Sequence, residues 1–159
     1  GYKYSTTVQR VLAPAKFANA PVALENVNWG DSSRDQLRKK TQTGTFPYLE
    51  TSNGTLSEAF AIVQYLAATY NKALLGSNEW EAALVNQWVQ FAQWEITRYS
   101  KTLVYPIFGF FEYNSAEGAK ALAEIKEWLK NLDKQLDGKD FIVGDAYTIA
   151  DLETFYALK

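Results

Sequence analysis

The side chains that do most enzymatic chemistry are missing from this chain. Its 159 residues include no cysteine and no histidine. That excludes disulfides, zinc-thiolate sites and thiol nucleophiles, and removes the commonest general base and metal ligand. Hydroxyls, carboxylates and helix ends remain. Ser5 stands just ahead of a helical stretch at 6–18. Ser5 or Thr6 therefore reads as an N-cap, and a cap hydroxyl points at the anion-binding end of its helix. Tyr2 and Tyr4 place further hydroxyls nearby. Thr148 and Asp151 have the spacing of a capping box in which aspartate replaces the usual glutamate. Arg38-Lys39-Lys40 reads as a solvated helix end that complements the dipole, and three residues are too few to suggest nucleic acid. Aromatic residues crowd positions 80–113: Trp80, Trp88, Trp94, Tyr99, Tyr105, Phe108, Phe110, Phe111 and Tyr113. At helical spacing most of these read as core, with Trp94 left over for a pocket or an interface.

Composition narrows the classes further. Apolar residues make up 47% and charged residues 21%, interspersed, so the chain can bury a core and does not read as disordered. The net charge of −2 and a pI near 5.2 give no electrostatic footprint for direct nucleic-acid binding or an anionic membrane. No stretch approaches the roughly 18 apolar residues of a membrane span, and no signal peptide opens the chain. The cytoplasm is the compartment expected. The chain also has no methionine, even at position 1, so it is expected to be a fragment or a processed form.

The elements that position these residues fall into two halves. Residues 2–5 suggest a short strand, followed by the helix at 6–18, which Pro14 should bend or shorten. Residues 22–29 alternate like a strand, and Ser32 or Ser33 can cap a helix running through Leu37 to about Lys40. Phe46–Glu50 and Thr55-Leu56 read as strands around a tight Asn53-Gly54 turn. A helix from Glu58 to about Tyr70 follows. The order β-α-β-α-β-β-α is that of a thioredoxin-like sheet, and Pro47 fits an edge position or a cis bond. The predicted division is 1–70, a linker at 71–77, and a helical part at 78–159. In that part Trp80, Leu84, Trp88 and Phe91 share one face of a helix continuing to about Leu103. Ser115 caps the next helix, whose stripe is Leu122, Ile125, Leu129, Leu132 and Leu136, with Gly138 beyond its end. The last helix starts at Ile149 and runs about three turns. With Leu152, Phe155 and Leu158 ready for a core, it is expected to be truncated and the helical part incomplete.

Several stretches together resemble the cytosolic glutathione transferases: T-F-P at 45–47, S-E-A-F-A-I at 57–62 and V-G-D-A-Y-T-I-A-D-L at 143–152. W-V-Q-F-A at 88–92, V-Y-P-I-F-G at 104–109, Tyr113-Asn114, L-D-K-Q-L and F-I-V-G bring the likeness nearest to the N-terminal module of the elongation factor 1-gamma family. The resemblance covers essentially the whole chain. It implies a thioredoxin-like half followed by a helical transferase half.

It also implies a site for glutathione as ligand or substrate, with no other cofactor and no metal. In it Ser5 is the tentative catalytic hydroxyl that would face the thiol. Phe46 would offer its backbone to the cysteinyl part beside a cis Pro47. Glu58 and Ala59 would open the helix that grips the γ-glutamyl carboxylate. Good glutathione binders of the family carry serine or threonine after the acidic residue, and this chain has Ala59. The departure argues against strong binding. The resemblance implies a module that scaffolds the other subunits of the elongation factor 1B complex, with a homodimer possible. The alternatives are a catalytic transferase conjugating glutathione to electrophiles, or a non-catalytic domain of another assembly.

Overall fold

The computed structural model describes residues 1–27, 36 and 39–159. The chain forms two compact units, Gly1–Leu75 and Gly76–Lys159.

In the first unit, helix α1 spans Thr6–Phe17 and buries Val8, Val11, Pro14 and Ala15. It runs through Pro14 and is not cut short there. The proline lies in the last turn, so the missing N–H removes only one late helical bond. Residues 2–5 carry no assigned strand. A turn stands there instead, which the Ser5 N–H closes onto the Tyr2 carbonyl at 2.9 Å. Residues 22–27 likewise carry no assigned strand. The rest of that predicted strand, together with Ser32, Ser33, Leu37 and Arg38, lies outside the described residues. Gln36, Lys39 and Lys40 are helical.

Strands β1 (Tyr48–Thr51) and β2 (Gly54–Ser57) pair antiparallel, with Thr51 opposite Gly54 and Leu49 opposite Leu56. The loop is therefore Ser52-Asn53, one residue earlier than the predicted Asn53-Gly54. Gly54 begins the return strand at φ 119°, where only glycine is comfortable. Helix α2 spans Ala59–Tyr70 and buries Ile62, Val63, Leu66 and Ala67, packing against α1. A 3-10 turn, Lys72–Leu75, follows and buries Leu74.

The second unit is helical. Helix α3 (Glu79–Phe91) passes through a π turn (Ala92–Ile96) into α4 (Thr97–Val104). Its buried stripe is Val85, Trp88, Val89, Ala92 and Ile96, not the predicted Trp80–Leu84–Trp88–Phe91 face. Most of the aromatic run is also not core: Trp80, Trp94, Phe108, Phe110, Phe111 and Tyr113 are exposed and only Trp88 is buried. Small and aliphatic residues carry the packing, so the rings between them point outward. Helix α5 spans Ser115–Leu136 and is capped by Asn114, whose side chain accepts from the N–H groups of Ala116 and Glu117. Ser115 is thus its first residue rather than its cap. On α5 Gly118, Ala121 and Leu132 are buried, while Leu122 and Leu129 are exposed. The last helix, α6, is Ile149–Leu158 and packs against α3. Trp88, Phe91, Trp128 and Tyr99 form a chain of tilted rings with centroids 4.9–5.7 Å apart.

The start of α3 is closed from both sides. The Glu81 N–H donates to Asn78 Oδ1 at 3.0 Å, and the Ser77 N–H donates to Glu81 Oε2 at 2.8 Å. Hydrogen bonds from the Ser77 side chain and backbone hold the Glu81 pKa below its ordinary value. Stabilisation of this kind is complete above the unfolded pKa and is lost as pH falls through the lower folded one. Glu81→Gln should therefore cost stability at pH 7. Urea unfolding should show the variant and the parent converging as pH drops well below about 4.3; a gap that does not change with pH would mean the charge is irrelevant.

Candidate functional site

The segment leading into β1 is built from threonines. Thr41 is buried, and its hydroxyl accepts from the Gly44 N–H at 2.8 Å. The hydroxyls of Thr43 and Thr45 lie 2.6 Å apart, and Thr45 Oγ1 donates to Glu58 Oε1 at 3.1 Å. The Phe46–Pro47 bond is cis. Pro47 is buried, and Phe46 stacks on Tyr48 with centroids 6.3 Å apart. Lys40 lies over the same tyrosine, 5.9 Å from its ring centre, and 3.8 Å from Glu50. The Tyr48 hydroxyl, and after it the charges of Tyr48 and Glu50, hold the Lys40 pKa above its ordinary value.

Glu58 occupies an unusual backbone position, φ 70° and ψ 118°. For a non-glycine residue such a conformation costs about 1–3 kcal/mol and persists only where its surroundings impose it. Here it turns the chain from β2 into α2. Its carbonyl accepts from the Ile62 N–H at 3.0 Å, the first helical bond of α2. Its side chain does not cap that helix and instead receives the Thr45 hydroxyl. Ala59, 7% exposed, is the first helical residue. Its methyl offers no hydrogen bond, so the helix end presents backbone donors without a side-chain cap.

Ser5 has the extended backbone of an N-cap, φ −65° and ψ 127°, and its carbonyl accepts from the Gln9 N–H at 2.9 Å. Its hydroxyl makes no cap bond to α1. The structure brings Thr45, the residue before Phe46 and Pro47, to Glu58, and Ser5 opens a separate helix. Sequence reasoning gives Thr45 no role of its own. The available signal is its hydroxyl two residues before a proline and thirteen before Glu58.

Thr148 and Asp151 sit in the second unit. Asp151 accepts from the Thr148 N–H at 2.8 Å and from the Ile142 N–H at 2.8 Å, and Thr148 Oγ1 accepts from the Ala150 N–H. They form a capping box on α6 with a third bond reaching back to residue 142. Among the described residues there is no group of three carboxylates that could hold a metal ion. Among them, too, no helix is long and apolar enough to cross a membrane.

A thioredoxin-like unit with a cis proline ahead of its hairpin, followed by an all-helical unit, is the glutathione transferase fold. The chain belongs to the glutathione S-transferase family: residues 1–76 match its N-terminal domain and residues 94–159 its C-terminal domain. It is 31% identical over 146 residues to elongation factor 1-gamma of Artemia salina, covering 90% of this chain and 33% of that protein. It is 35% identical over 125 residues to the glutathione S-transferase-like protein LUC7 of Fusarium sp, covering 77% of this chain and 57% of that protein. The chain thus spans about a third of the elongation factor relative. Among solved structures, a theta class glutathione S-transferase from Xanthomonas axonopodis pv. citri, with glutathione bound, superposes with TM-score 0.83 at 25% identity. That match covers 96% of this chain and 76% of the other.

Asp151 should be the most sensitive polar position in the second unit. Asp151→Ala removes the acceptor for the box and for Ile142, and should cost about 2–3 kcal/mol. Thr148→Ala should cost about 1 kcal/mol. The two together should cost less than the sum, because they share a network. Chemical denaturation of the two single variants and the double variant measures the coupling.

Proposed function

We propose that this chain is the transferase-like module of an elongation factor 1-gamma subunit, acting in the cytoplasm to scaffold the other subunits of the elongation factor 1B complex. In this reading the fold serves assembly, and a homodimer of the module is compatible with it. The observation that carries the proposal is the opening of α2. The Glu58 carboxylate is engaged by Thr45, and Ala59, which has no hydroxyl, opens the helix to which the transferase resemblance assigns the γ-glutamyl carboxylate. Backbone donors and the helix dipole remain to hold an anion. The missing charge-assisted bond is worth about 1.5–3 kcal/mol, or roughly tenfold to a hundredfold in affinity. Likeness to elongation factor 1-gamma over nine-tenths of the chain supports the same reading.

A second reading, a transferase that conjugates glutathione to electrophiles, draws on Ser5. Its hydroxyl makes no cap bond, so it is not committed to α1 in that way. A free cysteine thiol has a pKa near 8.5, and each unit of lowering needs about 1.4 kcal/mol of preference for the anion. With no histidine or cysteine in the chain, that preference would rest on one hydroxyl and on helix ends.

Titration calorimetry with glutathione, beside a standard conjugation assay, separates the two. The unmodified chain should bind glutathione weakly and turn over little or nothing. Ala59→Ser should tighten binding by about 1–3 kcal/mol. Micromolar binding with robust turnover by the unmodified chain would move the assignment to the enzyme.

A further inference from the structure

The second unit holds a surface cavity of about 470 Å³ between the start of α3 and the chain that joins α5 to α6. Its lining includes Trp80, Leu84 and Phe141 together with the acidic residues Glu81, Asp140 and Asp145. Lys139 is the only cation among the lining residues. Neither the first residues of the chain nor α6, its last element, contributes to the walls. Pockets that take small ligands or side chains span about 300–1,000 Å³.

Trp80 is 72% exposed and has no hydrogen-bond, ring or ion-pair partner among the described residues. Tryptophan is enriched among the few residues that dominate binding at protein interfaces. Asp140 and Asp145 are exposed, and neither has a hydrogen-bond or ion-pair partner among the described residues. Glu81 adds a third negative charge at neutral pH, because Ser77 holds its pKa below the ordinary value. Its Oε1 borders Gly144, where a built Cβ would stand 3.4 Å away. The wall opposite α3 is fixed: the Ile142 carbonyl accepts from Gln135 Nε2 and the Ile142 N–H donates to Asp151 Oδ1, both at 2.8 Å. A site held in this way loses little freedom when it is filled.

The charge selects the occupant. An acidic rim repels phosphate, which excludes nucleic acid and anionic lipid. Among the described residues no three acidic groups come together to hold a metal ion. The cation that can lie flat on an indole while donating to carboxylates from its edge is a guanidinium. Leu84 and Phe141 beside it offer apolar contact to the residues flanking that cation.

We propose that this cavity docks an arginine side chain carried by an exposed segment of a partner protein. The guanidinium stacks on Trp80 and donates to Asp140 and Asp145, and apolar neighbours of the arginine rest on Leu84 and Phe141. The inference concerns the second unit alone and stands apart from glutathione binding in the first.

A blocked tripeptide, leucine-arginine-leucine, tests this by amide and indole NMR on the unmodified chain, with the Trp80 indole signal assigned through Trp80→Phe. Saturable shifts are expected at the Trp80 indole N–H and at the amides of residues 138–145, with binding that weakens as salt rises. The same peptide with citrulline for arginine keeps its shape without the charge and should bind at least about fivefold more weakly. Trp80→Ala should weaken the arginine peptide by at least about fivefold. Asp140→Asn combined with Asp145→Asn should weaken it about threefold or more. All three side chains are exposed, so these variants should keep the parent's thermal midpoint. No saturable shift at these residues, equal affinity for the citrulline peptide, or undiminished binding by the double aspartate variant would each overturn the proposal. Arginine amide bound as tightly as the peptide would also overturn it, since the cavity would then be a pocket for small cations and not a docking surface.

Discussion

Asp151 presents one carboxylate to donors from two parts of the chain. It takes the Thr148 N–H at the mouth of α6 and the Ile142 N–H from the loop before it. The carbonyl of Ile142 is held in turn by Gln135 Nε2 at 2.8 Å, from the last turn of α5. Residue 142 is therefore anchored at both its main-chain poles, once by each helix. Ile142 and Val143 can then stay buried without stranding main-chain polar groups, which is the condition for a loop to enter a core. The placement of α6, and of Glu153 fully buried within it and bonded to Gln93, follows from that anchor.

The two units treat their helix starts differently. In the second, α3, α5 and α6 are closed by Asn78, Asn114 and Thr148, each accepting from N–H groups of its own first turn. In the first, α1 and α2 begin at Ser5 and Glu58, and neither side chain caps its helix. Uncapped starts leave backbone donors to be met by something other than the local side chain. These are the two helix starts to which the transferase resemblance assigns ligand contacts.

Sequence reasoning reaches the parts of this architecture governed by local chemistry. Thr148 and Asp151 announce a helix start because few other roles need that pair at that spacing, and Asn53-Gly54 marks a turn within one residue of its place. Ser115 and Asn114 cannot be told apart as caps by type, since serine and asparagine cap almost equally well; only the backbone reveals that Asn114 does it. The aromatic helix face misleads for a different reason. Trp80, Leu84, Trp88 and Phe91 satisfy helical spacing, but so do Val85, Trp88, Val89, Ala92 and Ile96. Side-chain size does not decide which stripe a neighbouring helix covers. At the candidate site the acid, the proline and the missing hydroxyl are legible. The Thr45–Glu58 contact is not, because it joins residues across a hairpin whose register is a tertiary fact.

The π turn between α3 and α4 ties the length of the chain to its facing. Across it the hydroxyl of Thr97, the first residue of α4, donates to the Ala92 carbonyl at 2.9 Å, five residues back. A helix places successive residues about 100° apart, so one residue added or removed inside this turn rotates everything on one side against the other. Deleting any single position from 92 to 96 would restore an unbroken α-helix. It would also carry Tyr99 away from its contact with Trp128 and Ser100 away from the Ala157 carbonyl. This stretch should therefore accept exchanges of residue type more readily than changes of residue number, and related chains that differ here should differ by substitution.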